Sequence, residues 1–216
     1  MVVNTYRYSD FNKQELTKKY DNWYERNKFA YLSEVNIIEK LIPKNELGLE
    51  VGVGTGRFAS VLKVPYGIDP AKESLKIAYQ RGVKVISATG EHLPFKDKTF
   101  HYLLMIITLS FLQDPKQALS EANRVLKEKG QIIIGMVDKN SFLGKLYQKK
   151  KIEGYPFYRE ATLFSPSEVI DFLKEYDFKD FGIYQTIFQM PKKLKNIQQP
   201  MKGYGKGGFV VIDAKK

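Results

Sequence analysis

Apolar and polar positions along this chain follow two periods, one typical of buried strands and one typical of amphipathic helices. Residues 10–42 carry apolar side chains at helical spacing, which predicts two N-terminal helices that end before Pro43. Strands alternate with helices over the rest of the chain, and short links join them, so a parallel sheet with helices on both faces is expected. Short apolar runs predict these strands at 47–51, 67–69, 83–87, from 99 onward, at 131–137, 181–188 and 209–212.

Two of the helices have recognisable starting residues. Asp114-Pro115 supplies an N-cap and a first-turn proline for a helix that should continue to Leu126 and stop at Lys129-Gly130. Ser165-Pro166-Ser167-Glu168 predicts a second start, for a helix over 169–176. Between them, residues 139–164 lack a clean period but hold several aromatic side chains around a lysine cluster, which predicts an inserted cap.

A glycine-rich turn follows the first predicted strand. Gly52, Gly54 and Gly56 occupy alternate positions there, and glycines allow a tight turn to press bare backbone against a ligand. A dinucleotide fingerprint needs a glycine or alanine where Arg57 stands, so an NAD site is disfavoured. A phosphate-binding P-loop would end in Gly-Lys-Ser/Thr, which Thr55-Gly56-Arg57 does not supply. The turn predicts a nucleotide pocket of another kind.

Glu-x-Gly-x-Gly-x-Gly at 50–56 resembles motif I of the class I S-adenosylmethionine-dependent methyltransferases. Gly67-Ile68-Asp69-Pro70, Thr89 to Phe95 and Glu121 to Gly130 are similar to later landmarks of the same family, in the same order. These motifs span roughly 46–138 and resemble the type 11 branch, with flanks similar to its small archaeal and thermophile members. The resemblance implies a Rossmann-like three-layer α/β/α sandwich. Its seven-stranded, mostly parallel sheet would have the last strand antiparallel between the fifth and the sixth.

The same resemblance implies a single domain with four parts. Residues 1–45 would form a helical lid, 46–138 the cofactor-binding core, 139–164 the cap and 165–216 the C-terminal part of the sheet. Glycine-rich residues 202–208 lack a strand-to-helix context and are expected to form a flexible loop near the pocket rim.

The family pattern also implies which residues hold S-adenosylmethionine. Asp69 would bond both ribose hydroxyls, because an ionised carboxylate can accept two protons at once. Glu50 would face the methionine ammonium. In the lid, Tyr20-Asp21-Asn22-Trp23-Tyr24 resembles a segment that folds over the cofactor. The backbone of the turn would contact the cofactor at Gly52, Gly54 and Gly56. The adenine would be lined by Thr89, Gly90 and Glu91. The sulfonium would be bordered by Ile107 and Thr108, and the lid would contribute Trp23.

Methyl transfer from a sulfonium by in-line displacement requires alignment and exclusion of water rather than a nucleophilic side chain. Thr89, His101 and Phe111 depart from the family pattern, and the last two leave the acceptor side without an evident general base. Candidates for that role are Tyr20, Thr108, Tyr155 and Tyr158. The expected activity is transfer to an amine, hydroxyl or carbon of a small-molecule acceptor, with S-adenosylhomocysteine as the product. An RNA or protein methyltransferase and a non-catalytic S-adenosylmethionine-binding protein stay open as alternatives.

Composition narrows these possibilities. The 216 residues include no cysteine and two histidines, so neither disulfides nor a metal site are expected. The net charge of +11 could attract nucleic acid, but lysines are interspersed with acids over most of the chain, which favours a solvated surface. No apolar run of about eighteen residues is present, so a cytoplasmic protein without a membrane segment is expected. The absence of cysteine and the abundance of Lys, Glu, Ile and Tyr indicate a thermophilic source. The sequence does not indicate an oligomeric state.

Overall fold

The computed structural model describes residues 14–216, so residues 10–13 of the predicted first helix and residues 1–13 of the predicted lid lie outside the described part. Two N-terminal helices are present, α1 (Gln14–Arg26) and α2 (Lys28–Glu39). The second ends before Pro43, as predicted. Among the described residues, no helix is long and apolar enough to cross a membrane.

Within residues 14–216, eight strands form one sheet, which confirms the Rossmann-like fold class but corrects the predicted count of seven. The additional strand, β7, is two residues long and pairs antiparallel with β6 near its C-terminal end. So short a strand leaves no periodic signal in the sequence. The strands are β1 (Gly48–Val51), β2 (Tyr66–Asp69), β3 (Lys84–Ser87), β4 (Phe100–Ile106), β5 (Leu126–Val137), β6 (Lys179–Thr186), β7 (Met201–Lys202) and β8 (Phe209–Lys215).

The strand order is β3-β2-β1-β4-β5-β8-β6-β7. Strands β1 to β5 pair in parallel, whereas β8 pairs antiparallel with both β5 and β6. The insertion of the last strand between the fifth and sixth is therefore confirmed. The order reverses between β1 and β4, and ligands of open α/β sheets bind at the carboxyl ends of the strands at such a reversal.

Helices cover both faces of the sheet. Along β4 the side chains alternate between two cores: Leu103 and Met105 pack on one face, and Leu104 packs on the other. The first core lies under α5 and α8, and the second lies under α2, α3 and α4. The chain is thus a three-layer sandwich. The remaining helices are α3 (Arg57–Leu62), α4 (Lys72–Gln80), α5 (Pro115–Val125), α6 (Phe142–Ile152), α7 (Pro156–Arg159) and α8 (Pro166–Glu175).

Both predicted helix starts are present. The Asp114 carboxylate accepts a hydrogen bond from the Gln117 main-chain nitrogen at 2.9 Å, and Ser165 and Glu168 form a capping box at α8. The predicted end of α5 was wrong, because the helix ends at Val125. Residue 126 pairs with Phe100 and begins β5, so the charged residues 127–129 belong to the irregular start of a strand. The prediction failed because the alternating charges of these residues are also typical of a solvated helix end.

The region predicted as a cap contains two helices, α6 and α7, which contact each other. Tyr147 on α6 and Tyr158 on α7 pack with ring centroids 4.5 Å apart. The glycine-rich residues 202–208 run into β8, and the main-chain nitrogens of Lys206 and Gly207 both donate to Oε1 of Gln185. None of these residues lines the pocket described below.

Candidate cofactor pocket

A pocket opens at the carboxyl ends of β1, β2 and β4, where the strand order reverses. Its wall combines the glycine turn after β1, the end of β2 and the segment after β4, and Tyr20 of α1 also contributes to it. Six of the eleven residues predicted to bind the cofactor line it, and these are Gly52, Gly54, Asp69, Gly90, Ile107 and Thr108.

The glycine turn presents bare backbone to this pocket. Gly52 and Gly54 have φ values of +73° and +51°, in the left-handed region that favours glycine. A Cβ on Gly52 would lie 2.4 Å from the Thr108 side chain, whereas a Cβ on Gly54 would meet nothing within 4 Å. Any side chain at Gly54 would therefore extend from the turn into open space. The turn is built so that a ligand can approach its main chain closely.

Asp69 links the turn to the second strand. Its Oδ2 accepts a hydrogen bond from the Gly54 nitrogen at 2.9 Å, and its Oδ1 accepts one from the Ala71 nitrogen at 2.8 Å. Burial raises the pKa of Asp69 to about 6, although these two bonds favour the ionised form. Each oxygen keeps a further lone pair, so the ionised carboxylate can still accept from two hydroxyl groups.

Glu50 is the other carboxyl of this region, and it is 2% exposed. Burial raises its pKa to about 8, and a hydrogen bond from the Ala59 main chain opposes that shift. Among the described residues, no group donates a hydrogen bond to its Oε2. A buried acceptor without a partner is costly, so a bound cation beside Glu50 would be stabilised.

Known proteins resemble this chain in sequence and in structure. The family model described as "Methyltransferase domain" matches residues 49–134. A crystal structure of a protein from Thermotoga maritima, described as "SAM-dependent methyltransferase, possible histamine N-methyltransferase", is 41% identical and superposes with a TM-score of 0.93 over 97% of this chain and 99% of its own. This chain belongs to the type 11 branch of the S-adenosylmethionine-dependent methyltransferases.

Other relatives of this methyltransferase include the uncharacterized protein MJ1123 of Methanocaldococcus jannaschii, which is 47% identical over 92% of this chain and 96% of its own. A demethylmenaquinone methyltransferase of Thermotoga maritima is 27% identical over 66% of this chain and 75% of its own. Since M. jannaschii is a thermophilic archaeon, the relatives agree with the thermophilic source indicated by composition. The chain is an enzyme whose cofactor is S-adenosylmethionine and whose cofactor product is S-adenosylhomocysteine.

The pocket of this methyltransferase fits that cofactor. The bare main chain at Gly52 and Gly54 and the lone pairs of Asp69 match a ligand that carries ribose hydroxyls. The unpartnered Oε2 of Glu50, two residues before the turn, matches an ammonium group. Ala88 and Leu112 add apolar surface beside Gly90, where the resemblance implies the adenine. Sequence reasoning did not select these two residues, because a small or apolar side chain in a loop carries no chemical signal.

Five predicted cofactor residues do not line the pocket, and Glu50 is one of them. Gly56, with φ +78°, precedes α3, and a Cβ there would come within 3.0 Å of Ala78 on α4. Thr89 pairs with His92 in an isolated bridge. Glu91 accepts a hydrogen bond from the Gln113 nitrogen at 2.8 Å and so holds the loop before α5. Trp23 packs edge to face on Tyr24, with ring centroids 5.3 Å apart.

Of the four candidate catalytic residues, two line the pocket and two do not. Tyr20 and Thr108 line the pocket, whereas Tyr158 lines a separate cavity in the cap and Tyr155 is 51% exposed. Thr108 Oγ1 donates to the Val51 carbonyl at 2.9 Å, so its proton is already engaged. Burial raises the pKa of Tyr20 above its ordinary value, which makes the phenolate form rare at neutral pH.

An aromatic cluster joins α1 to α2, α3 and α7, and its rings are those of Tyr20, Tyr24, Tyr31, Phe58 and Phe157. The hydroxyls of Tyr20 and Tyr24 are hydrogen-bonded at 2.6 Å, and the Tyr20 ring lies 5.9 Å from the Phe157 ring on α7 of the cap. Helices α1 and α7 therefore meet at Tyr20, beside the pocket. Among the described residues, no group of three or more His, Cys, Asp or Glu side chains could hold a metal ion.

Proposed function

We propose that this methyltransferase acts on a small amine, which binds between the lid and the cap next to the cofactor pocket. The observation that carries the proposal is the position of Tyr20, which lines the pocket and also contacts Phe157 of the cap. An acceptor enclosed there would be held against the methyl end of the cofactor and shielded from water. When bound, S-adenosylmethionine supplies an electrophilic methyl group on a sulfonium.

The proposed cofactor contacts are residues that line the pocket, together with Glu50, whose buried Oε2 has no partner among the described residues. Asp69 would hold the ribose, the backbone of Gly52 and Gly54 would form the floor, and Glu50 would take the ammonium. Ile107 and Thr108 would border the methyl group. Gly56, Thr89, Glu91 and Trp23 would act through the shape of the surrounding loops.

An amine is favoured by a buried carboxyl, Glu34 on α2. Glu34 is 5% exposed, and no hydrogen bond or ion pair of its carboxyl is found within residues 14–216. Helix α2 packs in the same core as Tyr20 and Tyr24, and the charged form of Glu34 disfavours ionisation of the Tyr20, Tyr24 and Tyr147 hydroxyls. A carboxylate among aromatic rings suits an ammonium group, which each of them attracts.

The crystal structure from Thermotoga maritima that is 41% identical to this chain supports the same acceptor class, because that protein is described as a possible histamine N-methyltransferase. Burial raises the pKa of Glu34 to about 8. In its ionised form, a carboxyl of this basicity can accept the proton that an ammonium must lose before its nitrogen attacks the methyl group. In this proposal Tyr20 contributes a hydrogen bond and a ring face, and it is not the base.

Transfer of a labelled methyl group from S-adenosylmethionine tests the proposal. The acceptors are a panel of small amines that includes histamine, each paired with the alcohol of the same skeleton. We expect turnover of amines only, a loss of about 100-fold in Glu34→Gln, and no loss in the control Glu39→Gln, which alters an exposed carboxyl on the same helix. S-adenosylhomocysteine should bind wild type and Glu34→Gln equally. Turnover of alcohols alone, or full amine turnover by Glu34→Gln, would reject an amine anchored by Glu34.

The lysine cluster in the cap favours an alternative, in which the methyl acceptor is a macromolecule such as RNA. Lys149, Lys150 and Lys151 stand in the last turn of α6, and Lys150 lies over the Tyr158 ring at 5.2 Å. An RNA acceptor predicts an apparent affinity that falls steeply with salt concentration, whereas a small amine held by one carboxylate predicts a shallow dependence. Salt titration of the transfer rate with total RNA as the acceptor separates the two.

A further inference from the structure

Five side-chain hydrogen bonds converge on the carboxylate of Asp21, on helix α1 of the lid. Oδ1 accepts from Thr55 Oγ1 at 2.6 Å, from Arg57 Nε at 2.9 Å and from Arg81 at 2.8 Å. Oδ2 accepts from Arg57 at 2.6 Å and from Arg81 at 2.8 Å. Both guanidinium groups are thus bidentate on one carboxylate. We refer to Asp21, Thr55, Arg57 and Arg81 as the Asp21 latch.

The Asp21 latch is largely removed from solvent. The side chains of Asp21, Arg57 and Arg81 are 14%, 16% and 26% exposed. Although burial opposes ionisation, the hydrogen bonds from Arg81, Arg57 and Thr55 hold the pKa of Asp21 well below its ordinary value. The carboxylate is charged at every physiological pH. Charge-assisted bidentate pairs of this kind fix orientation as well as distance.

The partners of Asp21 are not ordinary surface residues. Thr55 belongs to the glycine turn whose Gly52 and Gly54 line the pocket, Arg57 begins α3 directly after that turn, and Arg81 follows α4. Arg81 also donates to the Thr55 carbonyl at 2.7 Å, so the turn is held through both side chain and backbone. Arg57 occupies the position where a dinucleotide fold would place a small residue. Here the position serves to attach the lid.

Asp21 is adjacent in sequence to Tyr20, the lid residue that lines the pocket. The Asp21 latch therefore joins the floor of the pocket, at the glycine turn, to the part of its wall that comes from the lid. Glu25 of α1 also forms an ion pair with Arg57, but its side chain is 65% exposed. Among the described carboxylates of α1, Asp21 alone makes such bonds while largely buried.

We propose that Asp21 is a positioning residue that fixes Tyr20 over the bound cofactor and so controls how fast S-adenosylmethionine and S-adenosylhomocysteine leave. The inference rests on the proposed placement of the cofactor in this pocket. Release requires the lid to move away from the glycine turn, and five hydrogen bonds oppose that movement. Without the carboxylate, two buried guanidinium groups would face each other, and the lid would stay open for longer.

The test is the dissociation rate of S-adenosylhomocysteine from Asp21→Asn, measured by stopped flow. We expect a rise of about tenfold or more, since asparagine offers one acceptor in place of two and directs an amide donor at a guanidinium. The matched control is Glu25→Gln, which alters the exposed partner of the same arginine and should change the rate by less than about twofold. Arg81→Gln, which removes one of the two guanidiniums from a different element, should also speed release.

A double-mutant cycle separates positioning from general stability. If Asp21 acts through Tyr20, the losses of affinity for S-adenosylhomocysteine in Tyr20→Ala and Asp21→Asn will not add in the double variant. Additive losses, or an unchanged dissociation rate in both Asp21→Asn and Arg81→Gln, would overturn the inference. Wild-type protein that does not bind S-adenosylhomocysteine would instead overturn the placement of the cofactor, and the inference with it.

Discussion

The carboxylate of Asp69 accepts a hydrogen bond from the main-chain nitrogen of Gly54 at 2.9 Å, which ties the end of β2 to the middle of the glycine turn. Asp69 thereby shapes the turn in addition to its proposed contact with the ribose. We predict that Asp69→Ala lowers the affinity for S-adenosylhomocysteine by about 100-fold or more, because two charge-assisted hydrogen bonds of about 1.5 kcal/mol each are lost. Calorimetry measures the change. Asp171→Ala, at an exposed carboxylate on α8, should bind like wild type.

Cofactor affinity should also depend on pH. Burial raises the pKa of Asp69 to about 6 and that of Glu50 to about 8, and both must be ionised to accept from the cofactor. Affinity for S-adenosylhomocysteine should therefore fall as pH decreases through 8, and more steeply below 6, by about tenfold per pH unit for each proton taken up. Glu50→Gln should remove the upper step and Asp69→Asn the lower one. An affinity that is flat from pH 5 to 9 in wild type would contradict both contacts.

The ordered core of the fold was accessible from the sequence because its signals are local. Continuous apolar runs marked the buried strands, and Asp114 and Ser165 marked the starts of α5 and α8. The two-residue strand β7 was missed, since pairing with β6 decides it and periodicity does not. The end of α5 was misplaced for the same reason: Lys127 to Lys129 have helical composition, but tertiary pairing of Leu126 with Phe100 starts a strand.

Some residues of the candidate site could likewise be predicted from the sequence, and others could not. Gly52, Gly54 and Asp69 were identified because their residue types are required by ribose and backbone contacts. Glu34 and Arg81 were not selected, because a charged residue in a helix or at its end is usually solvated, and only the tertiary fold buries these two. Only the packing of α1 on the glycine turn brings Asp21 beside two arginines.

Gly54 provides a test of close approach that is independent of charge. Alanine at this position would adopt a strained φ of +51° and place a methyl group in the open space of the pocket. We predict a loss of cofactor affinity of more than about tenfold, with a stability cost of about 1 kcal/mol. Gly203→Ala is the matched control, because Gly203 also has a positive φ, +82°, and open space, but lies after β7. Equal affinity losses in both variants would show that backbone strain, and not the pocket, is responsible.

Glu34 should make the stability of the ligand-free protein depend on pH. Its pKa in the folded state is about 8, above the ordinary value of 4.5, because burial disfavours the charged carboxylate. The folded protein therefore holds this proton more tightly than the unfolded chain does. The stability that the proton contributes is complete below about pH 4.5 and is lost as pH rises through 8.

Glu34→Gln replaces the carboxyl with a neutral group of the same shape. We predict that the variant exceeds wild type in free energy of unfolding by a few kcal/mol, on the order of 1.4 kcal/mol per unit of pKa shift, at pH 9, and that the two converge at pH 4.5. Urea unfolding of both proteins at the two pH values measures the difference. If the gap is as large at pH 4.5 as at pH 9, ionisation of Glu34 is not its cause, and the raised pKa of the buried carboxyl is contradicted.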